Sequence, residues 1–446
     1  MLDLRYKTII AVALPMMFSG FIQSIVLLTD ASFIARYSTD AFMAVGNGGL
    51  LYVTMYMALL GMGDGAQIII ARRIGEEKTE AISRIFGTSL VTHFLLAIVL
   101  FAFLYFVMPG AVMGYSKDLG IAKLQGDYVE IRSFALFFAM ITISIQALFL
   151  AKGKTWVVLV ASVITASSNI FLDYGLIFGE LGMPEMGLKG AAWASTIADG
   201  LGMLFLVIYL IFSEERRIYK LFEYFSPLKW FNFKSMVELL KVGSPLMLQG
   251  FSALATWTLF FTWLEQKGQF DLTVSQNIRS IYFLAFVPIW GFAGTTKTYI
   301  SQYIGAKEFD KIPIIQRKIQ IMTVLFLLLT FHGAIFYPEA MIRIVNPEEI
   351  YVQKSAEILQ LITVSILIFG FSSVYFQTIH GSGNTLHSMI IEISAVFIYT
   401  FCSYLFIKVW NFDVFWIWSV EYIYFILLGG FSLLYLHFYD WKNKIV

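Results

Sequence analysis

Ionisable side chains inside apolar runs mark where this sequence can do chemistry. Asp30, Asp64, His93, Asp173 and Asp199 stand in such runs in the first half, and Arg279, Lys297, Glu392 and Glu421 in the second. Each costs several kcal/mol in a hydrocarbon setting unless it faces a cavity or a partner, so each is a functional candidate. Asp30 precedes Arg36, the outer end of its predicted helix, by six residues, which puts it about 9 Å below that end. Asp173 lies about as far below Gly179, and Asn169 stands one turn from Asp173 on the same face. Thr196 is roughly two turns into the following helix. Two carboxylates, an amide oxygen and a hydroxyl can therefore converge. Such hard oxygen ligands can hold Na⁺. Equally, two close carboxylates in low dielectric resist ionising together, so the pair can carry a proton. The residue types leave both open, and hydrogen bonding between helices is the plainer alternative.

Other positions suit a cavity for organic cations. Tyr52, Met55, Leu59 and Met62 recur on one face of the second predicted helix, and methionine and aromatic surfaces adapt to varied ligands and attract cations. Asp64, among Gly61, Gly63 and Gly65, either lines a path or faces water near Arg72. Asp199 follows Thr196 by three residues and extends its polar face; Glu392 and Glu421 are the second-half candidates for meeting a cationic substrate. His93 reads as a hydrogen-bonded core histidine. Pro15 removes a backbone hydrogen bond from the first helix, so a bend there would move Asp30.

The elements that must position these residues are membrane helices. The chain has 446 residues, 59% hydrophobic and 14% charged, against about 25% charged for a soluble domain. Twelve long apolar runs, at 8–35, 42–71, 85–108, 127–151, 156–178, 189–212, 235–263, 273–302, 314–337, 355–379, 387–408 and 413–438, predict an all-α integral membrane protein with twelve transmembrane helices. Their length and uniform apolarity exclude barrel strands. Twenty of the 31 Lys and Arg fall on the side of the N-terminus and eight on the other. This bias predicts both termini in the cytoplasm of a multi-pass cell (inner) membrane protein. A net charge of +1 gives no sign of nucleic-acid binding, and the single Cys402 gives no disulfide or redox site.

The sequence also repeats. Pro15 recurs as Pro245, Gly75 as Gly305 and Gly153 as Gly383, each 230 positions on, within matching apolar sequence. Two six-helix repeats of like orientation follow, with residues 1–222 as an N-terminal bundle and 223–446 as a C-terminal one. The linker holds Arg216, Arg217 and Lys220 with Phe222, Tyr224, Phe225, Trp230 and Phe231, which reads as a basic-aromatic surface segment or a plain loop. The repeat does not duplicate the carboxylates: Asp30 maps to Phe260, Asp64 to Gly294, Asp173 to Ser403 and Asp199 to Gly429. Cation chemistry is thereby assigned to the first half.

With these residues in view, the chain resembles the multidrug and toxic compound extrusion (MATE) family along nearly its whole length. Ala13-Leu14-Pro15 with Thr29-Asp30-Ala31-Ser32 is similar to that family's opening motif, and Gly63-Asp64-Gly65-Ala66-Gln67 with Ala71-Arg72-Arg73-Ile74-Gly75 to its second helix. Asn169-Ile170-Phe171-Leu172-Asp173 resembles its fifth helix, and Gly187-Leu188-Lys189-Gly190 with Thr196 its sixth. The resemblance implies an N-lobe and a C-lobe around a central cleft, in a drug/cation antiporter. It puts the cation site at Asp30, Asn169, Asp173 and Thr196, and the bending proline at Pro15. Two residues depart from the pattern: Tyr174 stands where proline is usual and Ala35 where glycine is usual. The acidic site that some members carry in the seventh and tenth helices is unmatched; the tenth offers Tyr375 and Gln377 instead.

The leading expectation is thus a monomeric multidrug efflux antiporter, exporting amphipathic or cationic organic compounds in exchange for H⁺ or Na⁺ by alternating access, without a cofactor. A flippase for a lipid-linked precursor shares the architecture, but its pyrophosphate calls for a basic cleft, and the mid-span Arg279 and Lys297 are few. No His/Cys metal spacing, nucleophile elbow or phosphate-binding glycine motif points to an enzyme.

Overall fold

The computed structural model describes residues 1–116, 118–221 and 232–442, and among them the chain is helical without a strand. The expected boundary at 222/223 and the linker residues Phe222, Tyr224, Phe225, Trp230 and Phe231 lie outside the described residues, as do Lys117, Lys229 and Lys444. The first part comprises α1 (Tyr6–Tyr37), α2 (Thr39–Gly75), α3 (Thr79–Ala102), α4 (Met108–Tyr115), α5 (Leu119–Ser133), α6 (Ala135–Lys152), α7 (Trp156–Phe178), α8 (Gly187–Phe212) and the short α9 (Glu214–Ile218). The second comprises α10 (Phe233–Lys267), α11 (Gln269–Gly305), α12 (Ile312–Phe331), α13 (Gly333–Phe336), α14 (Pro338–Val345), α15 (Glu349–Gly381), α16 (Thr385–Tyr404), α17 (Val414–Trp418) and α18 (Val420–Phe438). Eleven stretches among the described residues are long and apolar enough to cross a bilayer. The twelfth expected span is α10, whose 35 residues suffice in length and include Glu238, Lys241 and Gln249.

Two expected spans are built differently from a single rod. The fourth, 127–151, is two helices: α5 begins at Leu119, and the chain turns at Phe134, whose N–H donates to the Ile131 carbonyl, before α6. The twelfth breaks at Ser419 between α17 and α18. A turn costs only one or two ladder bonds, a loss that periodicity of apolar residues does not register.

The repeat reappears in backbone geometry. Glu77 and Lys307 both have positive φ, 58° and 61°, after α2 and α11. Gly153 and Gly383 have φ of 80° and 79° after α6 and α15, the left-handed conformation that glycine adopts without strain. By packing, the chain forms two units, Met1–Met17 with Leu248–Val446, and Phe18–Met247. Both cuts pass through a helix, two residues after Pro15 in α1 and two after Pro245 in α10. In the former unit the N-terminus is tied to α11 and α12: Tyr299 and Tyr303 hydroxyls donate to the Asp3 and Leu2 carbonyls (2.8 Å each), and Lys318 to Leu4 (2.7 Å). In the latter, α2 meets the first turns of α10 through small residues; a Cβ on Gly61 would stand 2.6 Å from the Met247 nitrogen.

At the end of α6, Lys152 and Lys154 both donate to Glu215 of α9, at 2.7 and 3.1 Å, and the Glu215 side chain is 1% exposed. Burial pushes this carboxyl up, but the lysine hydrogen bonds outweigh it and hold it below its ordinary 4.5. Since the folded state lowers this value, the clasp stabilises above the ordinary Glu range and is lost as the pH falls through the folded value. Glu215→Gln is therefore expected to cost about 1–2 kcal/mol near neutral pH. In thermal unfolding of purified protein the gap between wild type and variant closes as the pH is lowered below 4.5.

Candidate functional site: a buried carboxylate pair beside an arginine

The site lies in the unit Phe18–Met247 and is built on the tight packing of α7 against α8. A Cβ on Gly190 would come within 2.3 Å of the Leu176 carbonyl oxygen, and one on Gly202 within 2.0 Å of Thr165 Oγ1. Such small residues let membrane helices approach closely. They turn Asn169 and Asp173 of α7 toward α8, where Asn169 Nδ2 donates to Ser195 Oγ at 3.2 Å. Asp173 is fully buried, and Asn169 and Thr196 are 2% exposed.

From α1, Asp30 brings its carboxyl against that of Asp173, and the Asn169 amide adjoins Asp173. Four oxygens in this cluster are buried without a hydrogen-bond donor: Asp30 Oδ1, both carboxylate oxygens of Asp173, and Asn169 Oδ1. Thr196 is differently placed. Its hydroxyl donates to the Ala192 carbonyl at 2.8 Å and accepts from Arg132 Nη1 at 3.3 Å.

Arg132 belongs to the same region, and sequence reasoning did not single it out. It sits at the last turn of α5, two residues before the break at Phe134. Nη1 also donates to Asp199 Oδ2 at 3.0 Å, and the guanidinium lies 4.2 Å above the Tyr52 ring. The signal was available: a buried arginine in the half that holds the carboxylates is a counter-charge in search of a partner.

Asp30, Asn169, Asp173, Thr196, Tyr52 and Asp199 are thus brought into one region. Met55 is half-buried against the apolar core of this unit, whereas Met62 is fully buried. Met62 and Asp64 stand ten and twelve residues beyond Tyr52 on α2, roughly 15–18 Å along it, away from the cluster. His93 is a buried structural histidine, its ring nitrogens facing Ser89, Ser144 and the Leu59 carbonyl. Glu392 belongs to the other unit, buried and facing Tyr424.

Helices long and apolar enough to cross a bilayer, with carboxylates held among them, define a membrane-embedded helical protein. The MatE family model matches the chain twice, over residues 15–175 and 245–405, and the chain belongs to that family. The two matches stand 230 positions apart, the spacing of the repeat. The chain is 26% identical over 400 residues to the "Probable multidrug resistance protein NorM" of Thermotoga maritima, covering 87% of this chain and 83% of that protein. It is 23% identical to "Probable multidrug resistance protein YoeA" of Bacillus subtilis, covering 86% and 82%. In fold it is similar to the crystal structure of MATE in complex with MaL6 (TM-score 0.87, 19% identity, 96% and 95% covered). It is similar also to the outward-facing conformation of a multidrug resistance MATE family transporter (TM-score 0.85, 18% identity, 96% and 94% covered).

The arginine and its aspartate should behave as a unit. Arg132→Gln leaves Asp199 without its cation and is expected to destabilise by about 2 kcal/mol. Arg132→Gln combined with Asp199→Asn is expected to lose less than the sum of the single changes, with a coupling of about 1 kcal/mol or more. Thermal or denaturant unfolding of the four proteins checks this; additive losses would show the ion pair to be energetically idle.

Proposed function

We propose that this protein is a secondary active antiporter that expels amphipathic, cationic organic compounds in exchange for a proton taken up at the Asp30–Asp173 pair. The observation that carries the reading is the set of four buried oxygens without a donor on Asp30, Asp173 and Asn169. A proton shared by the two carboxyls supplies the missing donor and removes the repulsion of two like charges in low dielectric. The relatives named as multidrug resistance proteins support the cargo class.

The same oxygens also fit Na⁺, which is bound by hard oxygen donors. Asp30, Asn169 and Asp173 would hold it. One feature favours the proton. The Thr196 hydroxyl is engaged by Arg132 and the Ala192 carbonyl, and so adds little to a metal shell.

Protonation biases one of two transport states, and the cargo, competing for the same negative charge, biases the other. Pro15 is the hinge in this reading. It lies two residues before the point where α1 passes from one packed unit to the other, and Asp30 lies beyond that point. The protein works as a monomer in the cell membrane, with both termini in the cytoplasm and the lobes joined near residue 222.

Efflux of a fluorescent cationic dye from proteoliposomes tests this. Under an imposed pH gradient the wild type should export dye, and Asp30→Asn and Asp173→Asn should fall to the rate seen without a gradient while remaining folded. Normal gradient-driven export by Asp173→Asn would overturn the assignment. Export driven by a Na⁺ gradient alone would replace the proton by Na⁺.

A further inference from the structure

The unit formed by Met1–Met17 and Leu248–Val446 contains a second buried carboxylate cluster, at the repeat-equivalent place of the first. Applying the offset of 230, Tyr52 corresponds to Tyr282, Asn169 to Tyr399, Asp173 to Ser403 and Asp30 to Phe260. In the structure two of these positions, Tyr282 and Tyr399, meet one side chain, Glu421 at the start of α18, and the other two lie against Tyr399. Tyr282 Oη donates to Glu421 Oε2 at 2.6 Å and Tyr399 Oη to Oε1 at 3.0 Å. Phe260 packs on Tyr399 and on Trp418, three residues before Glu421. Glu421 is 3% exposed, and Ser403, 1% exposed, adjoins the Tyr399 hydroxyl.

The duplicated scaffold thus keeps its polar focus, but the carboxylate enters from another helix. It comes from α18 at 421, the counterpart of Ala191, and not from the position of Asp173. Position-by-position comparison of the halves misses this. A second carboxylate, Glu392 of α16, is 9% exposed and faces the Tyr424 hydroxyl, and the Tyr424 ring lies 5.7 Å from that of Tyr399. Glu392 and Tyr399 are seven residues apart on α16, about 10 Å along its axis. Glu421, Tyr399, Tyr424 and Glu392 therefore form a column of hydroxyls and carboxyls running along the helices.

The charge balance of this column differs from that of the first site. The ionisable groups facing Glu421 and Glu392 are Tyr282 of α11, Tyr399 of α16 and Tyr424 of α18. Neither carboxylate is ion-paired to a Lys or Arg among the described residues. Arg279, one of the two basic residues of α11, instead lies 4.8 Å over the Phe261 ring. Two carboxylates buried without a counter-cation are costly when both are charged, and a proton is the smallest species that neutralises either.

We propose that the C-terminal unit holds a second proton-binding site, centred on Glu421 in its Tyr282–Tyr399 clamp and extended through Tyr424 to Glu392, so that the transporter binds protons in both units. In the binding step a proton from water adds to a Glu421 carboxylate oxygen. The tyrosine hydroxyls rotate to accept from the resulting acid or to pass the proton toward Glu392, with no change in oxidation state. The proposal extends the antiport reading but concerns a separate site.

Infrared difference spectroscopy of the purified protein in nanodiscs, stepped between acidic and alkaline buffer, reads it directly. Wild type should gain a protonated-carboxyl stretching band on acidification that is absent from Glu421→Gln. Tyr282→Phe should keep this band and move it to higher wavenumber, because a hydrogen bond to the carboxyl is lost. That rescue shows a titrating group and not a fold defect. A spectrum of Glu421→Gln identical to wild type over this range would overturn the proposal. Dye efflux by the same preparations separates this from the first reading. An unchanged spectrum with efflux still dependent on Asp173 removes only the second site, whereas loss of wild-type gradient-driven efflux removes the antiport reading and leaves the band to be judged by itself.

Discussion

Unpaired oxygen in a low-dielectric interior is the constraint on which this structure turns. A carboxylate removed from water must find a cation, a donor or a proton, and the carboxylates held among these helices meet different ones. Glu215 takes two lysines near the end of α6. Asp199 takes Arg132. Glu421 takes two tyrosine hydroxyls. Asp30 and Asp173 have only each other and the Asn169 amide, and their buried oxygens are left without donors. Against that series the pair stands out as the place where an exchangeable ion has something to do.

The helices supply the precision that such a pair needs. Glycines at 190 and 202 bring α8 onto α7, so that Asn169, Asp173, Ser195 and Thr196 are fixed by backbone-level packing and not by flexible side chains. Arg132 then joins α5 to α8 through Thr196 and Asp199, and its stacking on Tyr52 ties in α2. Its Nη1 hydrogen bonds go to Thr196 and Asp199 and not to Asp30 or Asp173. Changing the ion pair and changing the carboxylate pair should consequently have different signatures, the first mainly in stability and the second in coupling.

Much of this was legible in the sequence, for physical reasons that can be named. Apolar runs long enough for a bilayer have few folds open to them, so the helices and the repeat followed from composition and spacing. The i, i+4 spacing of Asn169 and Asp173 and the depth of Asp30 were enough to bring those side chains together, because membrane helices run in nearly fixed directions. Arg132 was not placed, since the turn at Phe134 hides in an unbroken apolar pattern and its partners lie some 64 and 67 residues away. The Glu421 clamp escaped for a related reason. Repeats conserve backbone positions such as Glu77 and Lys307 or Gly153 and Gly383, while a functional group can be supplied from a neighbouring helix. Tyr282 and Tyr399 kept the positions of Tyr52 and Asn169, but nothing in either tyrosine alone announces a carboxylate 139 or 22 residues further on.

The central claim is that cargo and proton compete at Asp30 and Asp173. Its most direct measurement is the change in free proton concentration when a cationic dye is added to purified protein in weakly buffered detergent solution. Binding to wild type should release protons, and binding to Asp30→Asn or Asp173→Asn should release markedly fewer. Dye binding to wild type without proton release, or equal release from Asp173→Asn, would contradict the account.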